Sequence, residues 1–282
     1  MSMKLKGVKP SLIKKRFKAF FYGPAGCGKT TAAIQFPCPY LIDTEKGAEN
    51  PSYTRILDAN GGAILQTFDF EEILNEIRTL SVIDHPYKTL IIDPLTHVYD
   101  ELLYQSQLKV GTQYNKHYGE ANRNMKRLFR MLEQIDMNVI LTAHEKKVYL
   151  QNEVAGTTFD CYGKSDYTFD AVFEIQTRGQ NRTARVIKSR LEGFEKDSTF
   201  PFSFDEIALR YGADEIERVS VPLPLATEEQ LSQFYDLKAS SKFGDDMYSK
   251  WLEKAKCEKF DEMTSDMIGK CIEFLIKNNK DN

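Results

Sequence analysis

Eight consecutive residues, Gly23-Pro24-Ala25-Gly26-Cys27-Gly28-Lys29-Thr30, match the pattern GxxxxGK[ST] in full. Glycines at these positions let backbone N–H groups turn inward around phosphate oxygens, and a helix N-terminus behind them adds positive potential. Lys29 is then placed to reach the β- and γ-phosphates of a nucleotide, and the Thr30 hydroxyl to bind magnesium. Thr31 is counted with the loop as nucleotide-binding. The plain alternative is a glycine-rich turn that happens to carry a lysine. An acidic group ends the apolar run Leu90-Ile91-Ile92-Asp93. Asp93 can hold the magnesium through water, or it caps a turn. Pro94 follows it, so no glutamate stands next to Asp93 to activate water. If ATP is hydrolysed, the acceptor for the water proton must come from elsewhere. The stretch Leu41-Ile42-Asp43-Thr44-Glu45-Lys46-Gly47 is the best source.

These residues need elements to hold them. Phe17 to Tyr22 reads as a buried strand before the loop, and Lys29 to Phe36 as the helix after it. Pro39 to Asp43, Ala63 to Thr67, Thr89 to Asp93 and Val139 to Thr142 read as further strands. Thr89 to Asp93 shows no polar alternation, as expected of a parallel sheet covered on both faces. Asp69 and Glu72 begin a helix that buries Ile73, Ile77 and Leu80. Met125, Leu128, Phe129, Leu132 and Ile135 give another helix one apolar face. Strands alternating with helices predict a wound, mostly parallel α/β sheet. Ala171–Thr177 and Arg182–Leu191 flank Gly179-Gln180-Asn181 and predict an antiparallel hairpin.

Pro222 and Pro224 mark a linker, and Thr227 with Gln230 opens a run of amphipathic stripes. The expected organisation is a basic arm over residues 1–16, a core over 17–221 and a small helical domain over 222–282. The length of 282 residues suits one large domain and an appendage, at ~150 residues per domain. Net charge is −3, yet Met1 to Lys18 holds seven basic side chains and no acidic one. A wholly basic nucleic-acid coat is excluded, whereas a local basic patch is not. No apolar run approaches the ~18 residues of a membrane span, and no secretory signal is expected. The five cysteines (Cys27, Cys38, Cys161, Cys257, Cys271) show no metal-type spacing and read as reduced thiols of a cytoplasmic protein.

The sequence resembles the RecA/RadA superfamily of recombinases at three places besides the phosphate loop. Those proteins carry Asp-x-Glu after the strand that follows the phosphate-loop helix, and the resemblance gives Glu45 the role of catalytic base. They place a polar γ-phosphate sensor after a later strand, where this chain has Thr142-Ala143-His144-Glu145-Lys146 with His144 in place of glutamine. They also insert a Lys-x-Lys or Lys-x-Arg pair into the neighbouring subunit's nucleotide site, here Ile187-Lys188-Ser189-Arg190. Strand alternation would put Lys188 and Arg190 on one face, either as such a finger or as charges that protect an edge strand. The resemblance covers roughly Phe17 to Phe204, and its nearest form is the short, core-only RecA-like ATPases of bacteriophages, implicated in single-strand annealing and recombination.

The resemblance implies a RecA-like P-loop ATPase that uses ATP and magnesium. It further implies a homo-oligomeric ring or filament on single-stranded DNA, working in the host cytoplasm if phage-encoded. A single-strand-binding protein is a possible further partner. Two segments match the DNA-binding loops of such proteins, Gln105 to Asn124 and Glu145 to Thr168. Both interleave aromatic and cationic residues, a combination suited to stacked bases and phosphates. Two rival readings stand beside this one: a RecA-fold helicase or helicase loader, and a nucleotide-gated DNA-binding module with incidental turnover. A GTPase is disfavoured, since Asn115-Lys116-His117-Tyr118 lacks the base-reading Asp, and no arginine-rich lid suggests a small-molecule kinase.

Overall fold

The apolar runs become the parallel strands of one sheet, buried on both faces except at its edge run Ala63–Gln66, which is partly exposed. The computed structural model describes residues 15–279, apart from 46, 48, 49, 152, 223 and 256. The expected basic arm therefore lies outside the described residues except for Lys15 and Arg16. Along the chain run β1 (Lys18–Tyr22), α1 (Lys29–Ala33), β2 (Pro39–Asp43), α2 (Pro51–Ala59), β3 (Ala63–Gln66), α3 (Phe70–Val82) and β4 (Thr89–Asp93). Then come α4 (Leu95–Val110), α5 (Lys116–Gln134), β5 (Asn138–Ala143), β6 (Glu145–Leu150), β7 (Glu153–Phe159), α6 (Ser165–Thr168), β8 (Ala171–Arg178) and β9 (Asn181–Ser189). The chain closes with β10 (Thr199–Pro201), α7 (Phe204–Tyr211), α8 (Ala213–Ile216), α9 (Glu228–Ala239), α10 (Asp245–Ala255) and α11 (Ser265–Asn279).

The large sheet has the order β10-β9-β8-β1-β5-β4-β2-β3. From β8 across to β3 all neighbours are parallel, and β9 and β10 extend it antiparallel. This is the mostly parallel α/β architecture with an antiparallel hairpin that the sequence predicts. Successive side chains enter opposite layers. Phe20, Tyr22, Leu90, Ile92, Val139 and Leu141 join a core with α3, α4 and α5, whereas Ala19, Phe21, Ile91 and Ile140 join one with α1 and α7.

The C-terminal helices have an apolar cluster of their own, centred on Phe234, Phe260, Ile268 and Leu275. Thr227 and Gln230 make the reciprocal capping box that starts α9. Charged contacts tie this cluster to α3 and α5. Arg127 reaches Glu71 at 2.9 Å and also pairs with Glu262, and Lys259 meets Glu71 at 2.5 Å. Among the described residues, no helix is long and apolar enough to cross a membrane.

Two expectations about loops are corrected. Gln105 to Asn124 is the end of α4, a short turn and the start of α5, packed as a helical hairpin in which Ser106 Oγ donates to the His117 carbonyl at 2.7 Å. Glu145 to Thr168 is built around the β6–β7 hairpin, which stands apart from the large sheet.

Candidate nucleotide site

Parallel pairing brings the C-terminal ends of β1, β5, β4 and β2 side by side, with Tyr22 opposite Ala143 and Asp43 opposite Asp93. Ligands of wound α/β sheets bind at this edge. Strand β1 hands the chain to the phosphate loop. Gly23 has φ +155°, and a Cβ there would lie 2.4 Å from the Ile175 carbonyl oxygen on β8. Gly28 caps α1 in the left-handed region, φ +90°, with the Arg182 side chain 3.0 Å from where its Cβ would be. The loop is thus a close-fitted cradle in which side chains at these positions would collide. Gly23→Ala is expected to lower unfolding stability by about 1–3 kcal/mol through backbone strain alone. The midpoint of urea unfolding checks this.

Lys29 is almost wholly buried, and its Nζ donates to the carbonyl oxygens of Gly23 at 2.8 Å and Pro24 at 2.9 Å. The ammonium therefore sits inside the curl of the loop, where phosphate oxygens would compete with these carbonyls. Thr30 Oγ1 donates to Asp93 Oδ2 at 2.6 Å, and Thr142 Oγ1 donates to Asp93 Oδ1. Burial pushes the Asp93 carboxyl above the usual range, opposed by the Thr142 and Thr30 hydroxyls and by the charge of Lys29. A hydroxyl and a carboxylate in contact form an oxygen donor set that fits magnesium. Thr31 follows Thr30, half-buried on α1.

The two acids after β2 divide their work. Asp43 is buried, and its Oδ1 accepts from the backbone N–H of Glu45 at 3.1 Å and Gly47 at 3.2 Å. It builds the turn that aims Glu45. Thr44 fastens that turn to the end of β4, its N–H donating to the Asp93 carbonyl at 3.0 Å and its hydroxyl to Pro94 O at 2.7 Å. Glu45 Oε1 lies 2.9 Å from His144 Nε2 and 3.1 Å from His97 Nε2. The expected base and the expected sensor are therefore in direct contact.

Three of these side chains were not singled out from sequence: His97, Thr142 and Arg182. His97 stands four positions after Asp93, in the first turn of α4, and that spacing was the available signal. Arg182 is the second residue of β9 and reaches the loop because β8 neighbours β1, which only the topology reveals.

Lys188 and Arg190 lie just after a β-bulge. The β8–β9 register shifts between Val172 and Phe173, so Val172 pairs with Lys188 and Phe173 with Val186. The extra residue is Ile187, which precedes Lys188. Ser189 pairs regularly with Ala171, and Arg190, just beyond the end of β9, donates its N–H to the Asp170 carbonyl. Both residues are near the start of β8, at the edge of the sheet opposite their own phosphate loop. Lys188 Nζ is committed to the carbonyls of Phe169, at 2.7 Å, and Asp166. Arg190 is exposed, 3.3 Å from Tyr167 O, and lines a cleft of about 700 Å³ with Lys15, Arg16, Lys18 and Arg218.

A magnesium-type oxygen pair beside a glycine-lined phosphate cradle, on the C-terminal edge of a wound parallel sheet, defines a P-loop ATPase. Residues 15–192 match the family model described as AAA domain (AAA_24), and the chain belongs to that family. P-loop ATPases of this kind bind ATP with magnesium. No curated protein matches the chain. Among solved structures, a crystal structure of the RadB recombinase is similar, at 18% identity with a TM-score of 0.45, covering 67% of this chain and 88% of that one.

Proposed function

We propose that this chain is a DNA-stimulated ATPase that binds single-stranded DNA as a homo-oligomer, in recombination or strand annealing of the phage type. In this reading residues 17–221 form the ATPase core and 222–282 a helical domain appended to it. Lys29 neutralises the transferring phosphoryl group, and Glu45 takes the proton of the attacking water. Magnesium held by Thr30 and, through water, by Asp93 would offset charge on the β- and γ-phosphates. Arg182 borders the loop from within the same chain, whereas Arg190 is exposed, held by the Tyr167 carbonyl at 3.3 Å and near Asp170 at 3.9 Å, and would serve a neighbouring subunit by exchanging these contacts.

The observation that carries the DNA reading is the contact between Glu45 and His144. His144 is the residue immediately before β6, so the nucleotide site connects directly to the β6–β7 hairpin. That hairpin is exposed on both faces, with Lys146, Lys147 and Tyr149 outward. Bases stack on such rings while cations meet phosphates. A change in Glu45 at the γ-phosphate would be felt at the hairpin root through His144.

The test is fluorescence anisotropy of a labelled single-stranded oligonucleotide with a non-hydrolysable ATP analogue and with ADP. Binding is expected to be tighter with the analogue, and Tyr149→Ala to weaken it about tenfold, in keeping with roughly 1–3 kcal/mol per stacked base. Equal binding by wild type and Tyr149→Ala, indifferent to nucleotide, would remove the hairpin from the DNA interface.

A further inference from the structure

We propose that Glu45, His97 and His144 form a binding site for a divalent transition-metal ion, with zinc as the reference ion, and that its occupancy withholds Glu45 from hydrolysis. One ligand atom from each residue lies within 4.8 Å of the others. The two Nε2···Oε1 separations, 3.1 and 2.9 Å, are close to those between neighbouring ligands around one small ion. With zinc–ligand bonds of about 2.0–2.2 Å in a tetrahedron, neighbouring donors lie roughly 3.3–3.6 Å apart, so these three would spread by a few tenths of an ångström around the ion.

The ring of His97 has an oxygen facing each nitrogen, Glu45 Oε1 at Nε2 and the Thr44 carbonyl 3.3 Å from Nδ1. A neutral imidazole has a single N–H to share between two acceptors. A metal ion at Nε2 satisfies both sides, because the ring proton then resides on Nδ1 and is donated to Thr44. An imidazole anchored by a backbone carbonyl is the usual orientation of a metal-bound histidine.

The donors are also held in place from three chain segments. Asp43 fixes the turn of Glu45, α4 supplies His97, and the backbone N–H of His144 donates to Thr96 Oγ1 at 3.0 Å. The three side chains are each about 40% exposed, so an ion can enter and keep water in its remaining positions. Two imidazoles and one carboxylate favour zinc, copper or nickel over magnesium, which takes oxygen donors. This site is therefore distinct in chemistry from the Thr30–Asp93 pair. The inhibitory consequence rests on Glu45 being the catalytic base; the binding itself does not.

The experiment uses the full chain, stripped with a chelator and dialysed, then titrated with zinc in excess magnesium. Bound metal is counted by elemental analysis, and cobalt is used as an absorbing substitute. One zinc per wild-type chain is expected. His97→Ala and the more conservative His97→Gln are each expected to weaken it by tenfold or more, at least the loss seen when a supporting contact is removed. Magnesium-dependent ATP turnover of the wild type should fall as the zinc site fills and return on chelation. Zinc bound equally well by both His97 variants, as it would be if cysteine thiols held it, overturns the site. Zinc seated on the three residues with turnover unchanged overturns the inhibitory role. Full turnover by metal-stripped Glu45→Gln would instead overturn the base assignment, so the two failures are distinguishable.

Discussion

Lys29→Ala is expected to reduce ATP turnover by about 100- to 1000-fold, the scale seen when one preorganised electrostatic donor to a transition state is removed. ATP binding should weaken as well. The Lys29 ammonium lies in the curl of the loop, tethered to two loop carbonyls, where it meets the terminal phosphates without a large rearrangement. Alanine leaves the glycine geometry intact, so the fold should survive and the defect should be chemical. Turnover by the purified variant, together with its affinity for a fluorescent ATP analogue, checks both parts. Unchanged turnover would remove the phosphate loop from the reaction.

Glu45→Gln is expected to bind ATP and yet hydrolyse it ~100-fold more slowly or worse, the usual contribution of a general base. The amide keeps the size of the side chain and its carbonyl can still accept from one histidine. What it loses is basicity towards water. Asp43→Asn is the matched control. Its oxygen accepts from the Glu45 and Gly47 N–H groups, and an asparagine oxygen can do the same. Its effect should therefore be the smaller of the two. Single-turnover hydrolysis beside equilibrium binding separates the steps, and a more severe defect in Asp43→Asn would show that the wrong carboxylate has been assigned.

Where side chains are buried on both faces, sequence and structure agree closely. The strands read at Pro39–Asp43 and Thr89–Asp93 have those same bounds, because an uninterrupted apolar stretch leads to the final Asp of each. The phosphate loop is equally plain, since its function requires glycines at fixed spacing. Segments exposed to water were harder to read. The first turns of α5 bury only His117 and Ala121, so its amphipathic signal begins too late to distinguish helix from loop. The β6–β7 hairpin is largely exposed, which removes the alternation that marks a half-buried strand. The position of Lys188 relative to Val186 depends on register, and the bulge at Ile187 is not visible in residue spacing. His97 joins Glu45 and His144 only through the arrangement of β2, β4 and β5, and spacing in the chain carries little of that.

The central claim is that this site hydrolyses ATP in step with engagement of single-stranded DNA. Steady-state ATP turnover by the wild-type chain in magnesium, measured with and without a saturating single-stranded oligonucleotide, tests it most directly. The proposed function predicts that DNA raises turnover, and that Glu45→Gln shows no such rise. Wild-type turnover that is the same with and without bound DNA would contradict the account.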